Sequence, residues 1–415
     1  MKLYKPSIHS LRDQLALTFP YDPESPIPHQ IWQTWRNGPQ DKDFPSKFRS
    51  FQKKWTSMAD STGYQYSLIT DDSILPLLQN LYGEVPLVIE AYQLLPTMIL
   101  KADFFRYLIL FARGGIYSDM DTIPLKPFNK WTSSQESISN NPLYNTLPTL
   151  LPYKNINRDK AVLPKNEPGL VIGIEADPDR EDWKEWYARR IQFCQWTIQS
   201  KPGHPVLREL ILNITATTLK SVQGSPYAND DNPIFDLKHL RDYDINYRYS
   251  ASRNSSNYDY TQKKNYKNVD GTDIMNWTGP GIFTDIIFEY LSNTIRTNND
   301  IALLNTDLQQ PLHDEIINEQ SKSIKRFYTE ISEQLLTYAR IPWEFFAFLQ
   351  NPAIVDDVMI LPITSFSPGV EQMEAKGTND KMAFVEHLFS GSWKALADKN
   401  SNHKKNNGGI PPVPE

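Results

Sequence analysis

Residues Leu100 to Asp121 constrain this chain more than any other stretch. Leu100-Lys101-Ala102-Asp103-Phe104-Phe105-Arg106-Tyr107-Leu108-Ile109-Leu110-Phe111-Ala112 is apolar on nearly every side, so it reads as a helix buried all round. Gly114 and Gly115 stop it, where the chain needs a left-handed backbone. Ile116-Tyr117-Ser118 then suits a short strand, and Asp119-Met120-Asp121 follows directly. A buried helix feeding a strand that ends in acidic residues points to an α/β fold with ligands at the strands' carboxyl ends.

Two carboxylates one residue apart offer hard oxygen ligands to a divalent cation, and such a cation can hold a diphosphate. Asp103 and Arg106 stand three apart on the helix, so they share a face and can pair. An Asp-x-Asp alone is common in solvated turns, and an ion pair in an apolar helix can serve structure alone. Four polar groups converging beside a strand end imply more: a metal-dependent enzyme acting on a nucleotide diphosphate.

The rest of the chain supports an α/β reading. Ile27 to Trp35 is the first buried strand, Phe44 to Asp60 a helix and Tyr64 to Ile69 a second strand. Thr70-Asp71-Asp72 caps a helix from Ile74 to Tyr82, and Val85 to Leu94 follows. This alternation argues for a mostly parallel sheet flanked by helices. Leu170 to Glu175 is a clear strand; Glu181 to Thr197, Pro205 to Ser221 and a segment from Gly281 to Leu291 read as helices. The stretch from Thr297 to Arg340 reads as polar and helical, and Asp356 to Pro362 as a late strand. Residues 129–165 and 223–273 are weakly periodic, polar insertions. The chain divides into a stem or linker at 1–26, a catalytic domain with insertions at 27–400, and a disordered tail at 401–415.

Composition narrows the partners. A net charge of −6, with no long Lys/Arg run, leaves no electrostatic footprint for nucleic acid. The single Cys194 excludes an intramolecular disulfide and reads as a packed thiol. Sequons at Asn213, Asn254 and Asn276 permit glycosylation in a secretory lumen. No stretch approaches the roughly 20 apolar residues that span a bilayer, and the N-terminus carries no signal-peptide core.

LKADFFRYLILFARGGIYSDMDT, from Leu100 to Thr122, resembles the signature of retaining glycosyltransferases of family 32, above all the fungal initiation-specific α-1,6-mannosyltransferase group and its Golgi relatives. Ile27 to Trp35, Gln195-Trp196-Thr197 through His204-Pro205, Trp277-Thr278-Gly279-Pro280-Gly281, and His387 to Trp393 resemble further motifs of that group. The resemblance implies a GT-A-type nucleotide-sugar-binding fold. It also implies transfer of mannose from GDP-mannose, with Mn²⁺ or Mg²⁺, to the mannose-rich core of N-linked glycans on glycoproteins in the Golgi lumen. Its members are type II membrane proteins. This chain has no such anchor, so the expectation is a luminal part that begins after the anchor, or a soluble protein. The alternatives are an inositol-sphingolipid mannosyltransferase, or a non-catalytic or weakly active subunit of a Golgi mannosyltransferase complex that polymerises mannan.

By the same resemblance Asp121 binds the metal and Asp119 bridges metal and donor, while Asp103 and Arg106 hydrogen-bond the donor sugar. Tyr117, two residues before Asp119, shares its face and packs against the ribose. Trp32 either stacks on the base or packs in the core. His387 is either a structural histidine or a ligand to the metal, and Ser392 and Trp393 reach the diphosphate. Glu175 and Asp177 form either an acidic turn or an acceptor contact. No residue stands out as nucleophile or general base; the retention that the resemblance implies leaves either front-face return within an ion pair or a covalent intermediate, and in the first the leaving phosphate itself takes the acceptor proton.

Overall fold

The computed structural model describes residues 10–140, 167–178, 187–222, 274–297 and 340–390, with short pieces between them. Strand β1 (Gln30–Trp35) pairs in parallel with β2 (Gln65–Thr70) over its full length, Gln30 opposite Gln65 and Trp35 opposite Thr70. Their crossover is helix α2 (Ser46–Thr62), which buries Phe48, Phe51, Trp55 and Ala59 and stops at Gly63 in the left-handed conformation. Helices α3 (Asp71–Leu81), α4 (Pro86–Leu94) and α5 (Met98–Arg113) then lead to β3 (Gly115–Ser118), parallel to β1 on its other side.

The glycine pair between α5 and β3 is sterically required. Gly114 and Gly115 have φ of 65° and 96°, and a methyl on Gly114 would lie 2.7 Å from Pro202 Cδ. One on Gly115 would collide with the Gln30 carbonyl. Glycine thereby lets β3 close up against its neighbours.

The remaining strands are β4 (Thr122–Pro124), β5 (Leu170–Ala176), β6 (Gln192–Phe193), β7 (Thr197–Ser200), β8 (Leu303–Asn305), β9 (Ala353–Val355), β10 (Val358–Leu361) and β11 (Val385–His387). The main sheet runs β2-β1-β3-β7-β5-β10-β9-β8, with β6 beside β5. On that path β2, β1, β3, β5, β10 and β8 point one way, and β7 and β9 the other. Helices flank it, among them α6 (Gln135–Asn140), α7 (Pro205–Ser221), α8 (Ile274–Trp277), α9 (Pro280–Thr297) and α10 (Ile363–Phe366). The largest apolar cluster joins α4, α5, α7 and α9 to one sheet face; a second gathers Trp55, Trp131, Phe366 and Phe384 on the other. Among the described residues no helix is long and apolar enough to cross a membrane.

Two sequence expectations change. The helix expected over 181–197 is absent from its described part, which ends in β6 and the start of β7. β7 fills the gap between β3 and β5, bonding antiparallel to both, so long-range pairing overrides a locally helical pattern. The supposed stem, for its part, is docked on the body. Helix α1 (Leu11–Thr18), capped by Ser10, buries Leu11 and Leu15 completely, and Arg12 forks onto Glu209 at 2.9 Å. Phe19 packs on Tyr82 and Phe111. The expected tail at 401–415 and most of both insertions lie outside the described residues.

Candidate active site

Helix α5 and strand β3 place the polar groups. Asp103 and Arg106 share a helix face as the spacing predicts, 2.9 Å apart, in surroundings that leave their side chains 2% and 5% exposed. The guanidinium continues past Asp103 to Asp119 Oδ1 at 3.2 Å and to the Gln195 carbonyl at 3.3 Å, and lies over the Tyr117 ring. Tyr117 also donates to Asp119 Oδ1 at 2.9 Å. Four of the predicted residues thus form one network at the carboxyl end of β3.

Its electrostatics follow from burial. Burial pushes Asp103 up to about 6, against the pull of Arg106, Thr278 and Gln195. Burial likewise raises Asp119 despite Arg106. Burial opposes the charge on Arg106 too, but Asp119 and Asp103 outweigh it and hold the guanidinium firmly protonated.

The Asp119 backbone is pinned from three sides. Its N–H donates to the Trp196 carbonyl at 2.8 Å, and its own carbonyl accepts from Gln33 Nε2 at 3.0 Å and Thr122 Oγ1 at 2.6 Å. These contacts aim the Asp119 side chain, which is 28% exposed. Its Oδ2 has no hydrogen-bond partner among the described residues.

Asp121 is held differently. Strand β11 pairs with β4 immediately after the aspartate couplet, His387 opposite Thr122. That register brings His387 Nε2 to 3.3 Å from Asp121 Oδ1 and the Ser390 N–H to 2.9 Å from Oδ2, while the Leu388 N–H donates to the Asp121 carbonyl. Burial raises the Asp121 carboxyl, yet His387 and Ser390 outweigh it and set its pKa below the usual range. The imidazole stacks on Trp196 with centroids 4.4 Å apart.

Among the described residues no three His, Cys, Asp or Glu side chains form a metal-holding cluster. The open oxygen of Asp119, with Asp121 and His387 beside it, fits a hard cation that takes few protein ligands and completes its coordination from a bound ligand.

Of the two readings given for Trp32, the structure shows core packing. Trp32 lies mid-strand, packs on the main core, and its indole N–H donates to the Gly114 carbonyl at 2.9 Å. The residue at the end of β1 is Trp35, packed edge-on against Phe48. Ser392 and Trp393 lie outside the described residues. Cys194 is a packed thiol, pushed up by burial and then by Glu175. Asn276 is 4% exposed, which leaves no room for a glycan.

Sequence reasoning gave no role to Gln195, Tyr107 or Thr278. Thr278 Oγ1 donates to Asp103 at 3.2 Å, and Tyr107 donates to the Thr278 carbonyl at 2.9 Å and to Gln195. Their signal was present only as membership in the motif blocks.

Comparison with known proteins agrees with this geometry. The model of a glycosyltransferase sugar-binding region containing a DXD motif matches residues 45–138, which include Asp119-Met120-Asp121. An initiation-specific alpha-1,6-mannosyltransferase of Saccharomyces cerevisiae is 57% identical over 96% of this chain and 85% of its own length. Its namesake in Candida albicans is 42% identical over 94% and 78%, and that in Schizosaccharomyces pombe 33% over 92% and 67%. With relatives of this likeness spanning nearly its whole length, the chain belongs to the family of initiation-specific α-1,6-mannosyltransferases, DXD-bearing enzymes of glycosyltransferase family 32.

Proposed function

We propose that this enzyme transfers mannose from GDP-mannose to the mannose-rich core of N-linked glycans, forms an α-1,6 linkage with retention, and works in the Golgi lumen. The observation that carries the reading is the Arg106–Asp119 pair, at 3.2 Å, beside Asp121 at the carboxyl end of β3. Nucleotide-sugar transfer needs such a place, where carboxylates meet a diphosphate and a fixed cation steadies the sugar-binding groups.

Asp119 and Asp121 would hold the divalent cation, Mn²⁺ or Mg²⁺, with His387 adjoining. When bound it supplies Lewis-acid stabilisation to the departing diphosphate. Asp119 accepts from the donor through its open Oδ2. Arg106 and Asp103 are too buried to offer a broad surface, so their part is to orient Asp119 and present the guanidinium edge to a sugar hydroxyl. Tyr117 fixes the same carboxylate. Ser392 and Trp393 are assigned to the diphosphate by family resemblance alone.

The test is linkage analysis of product from a defined oligomannose acceptor, with Mn²⁺ and a panel of nucleotide sugars. The expected result is an α-1,6-linked mannose drawn from GDP-mannose. Consumption of a different nucleotide sugar in its place overturns the donor assignment.

A further inference from the structure

Phe389 departs from the ordinary in both exposure and backbone. It is a large apolar residue left 52% exposed, and its φ of 44° lies in the left-handed region that bulky side chains avoid. Such a backbone persists only where its surroundings over-determine it, and it gathers at active sites and ligand clamps. Here the surroundings are the aspartate couplet itself. The Leu388 N–H donates to the Asp121 carbonyl at 2.9 Å, and the Ser390 N–H donates to Asp121 Oδ2 at 2.9 Å. Both neighbours of Phe389 are therefore tied to Asp121, and the strained residue stands between the two ties.

The ring has a fixed place. Leu388 turns into the apolar cluster of Phe48 and Met120, and Phe389 turns to Trp196 and His387. Its centroid lies 4.1 Å from that of His387 and 5.6 Å from that of Trp196, with planes at 74° and 76°. Those two rings are stacked on each other at 4.4 Å, so together they hold Phe389 from one side. The other side opens to solvent next to the couplet.

The strand order says which substrate comes to that side. Trp196 directly precedes β7, which pairs with β3 on the flank away from β1. On the opposite flank β1, α2 and β2 form a parallel β-α-β unit, the half of an α/β sheet that takes a nucleotide at its carboxyl edge. With the nucleotide there, the open ring on the β7 flank is left to the second substrate. A pyranose suits it, because the C–H groups on one face of the sugar are an apolar surface that the electron-rich face of an aromatic ring attracts.

We propose that Phe389 is the acceptor platform of the transfer site, stacking on the C–H face of the acceptor mannose and so determining which sugar is accepted. This rests on the sugar-transfer reading above. It adds a specificity-determining residue, and it links the acceptor's position to the metal couplet, because Asp121 holds the backbone on both sides of the platform.

The test uses the full chain with Mn²⁺, GDP-mannose and a defined oligomannose acceptor, comparing wild type with Phe389→Asn, Phe389→Leu and Phe389→Trp. Asparagine enters the left-handed region more readily than phenylalanine, so that variant removes the ring and relieves the backbone together. Its acceptor KM is expected to rise roughly 10- to 50-fold. Leucine, apolar but not flat, falls between, and tryptophan stays within about threefold of wild type. GDP affinity with Mn²⁺, measured by calorimetry, stays within about twofold in all three, and the asparagine variant melts no lower than wild type. The inference is overturned if the asparagine variant leaves the acceptor KM unchanged, or if leucine serves as well as tryptophan. A fall in GDP affinity equal to the rise in acceptor KM overturns it too and gives the ring to the nucleotide; a lowered melting temperature with both affinities lost gives it a structural role. Wild type that transfers another sugar defeats the donor assignment instead, and the same KM comparison with that sugar still decides the role of Phe389.

Discussion

Asp103→Asn gives the sharpest physical test of the buried network. Asp103 is raised from 3.8 to about 6, chiefly by burial, with Arg106 opposing. The shift is about 2.2 units, and at about 1.36 kcal/mol per unit it corresponds to roughly 3 kcal/mol between protonation states. The sign follows from proton linkage. The folded chain binds the Asp103 proton more tightly than the unfolded chain does, so this stability is complete below about 3.8 and lost as pH rises through about 6. Asparagine stands in for the protonated acid at every pH. At pH 7 the variant should therefore be about 3 kcal/mol more stable than wild type, the difference shrinking to roughly 0.5 kcal/mol near pH 4. Paired urea titrations between pH 4 and 7, followed by tryptophan fluorescence with donor absent, measure the gap directly. Transfer should fall in the same variant, because Arg106 loses the carboxylate that shares it with Asp119. A variant less stable than wild type at pH 7, or a gap that does not change with pH, refutes the claim that burial outweighs Arg106 at this position.

Other substitutions test separate parts of the argument. Asp121→Asn should lower transfer on the order of 10²- to 10³-fold and weaken Mn²⁺-dependent GDP binding by calorimetry, with the melting temperature held. Chelation of wild type should reproduce the loss, and added Mn²⁺ restore it. His387→Ala removes the 3.3 Å contact to Asp121 and the stack on Trp196, and should raise the Mn²⁺ requirement roughly 10-fold in activity titrations. Leu15→Ala, at a fully buried position of α1, should cost about 2–5 kcal/mol in denaturant unfolding. An unchanged midpoint would mean that residues 10–26 are a linker after all.

How much of this was legible in the sequence depended on the reach of each contact. Helix α5, its glycine stop and strand β3 were readable because their signals are local: apolar residues on every face, then two glycines that φ of 65° and 96° demand. The Asp103–Arg106 pair followed from helical spacing alone. Its continuation to Asp119 did not, because that contact spans 13 residues and depends on where β3 leaves the glycine turn. The same limit explains the misreadings. The segment before Thr197 looks helical by itself and becomes β6 and β7 only because β3 and β5 leave a gap that it can bridge. Helix α1 shows Leu11 and Leu15 on one face, yet its partner Glu209 lies 197 residues away from Arg12.

The candidate site shows a further limit, because several of its working groups are main-chain atoms. The carbonyls of Gln195, Trp196 and Thr278 hold Arg106, Asp119 and Tyr107, and any residue type supplies a carbonyl. Side-chain chemistry can nominate Asp119 and Asp121, but the groups that aim them are readable only when the strands are in place. Glu175 and Asp177 make the same point from the opposite direction. Two carboxylates two residues apart are equivalent in sequence, and only the fold gives Asp177 to Arg190 and the Phe348 N–H and sets Glu175 beside Gln192. Which partner a buried carboxylate meets is therefore a property that appears only once the chain has folded.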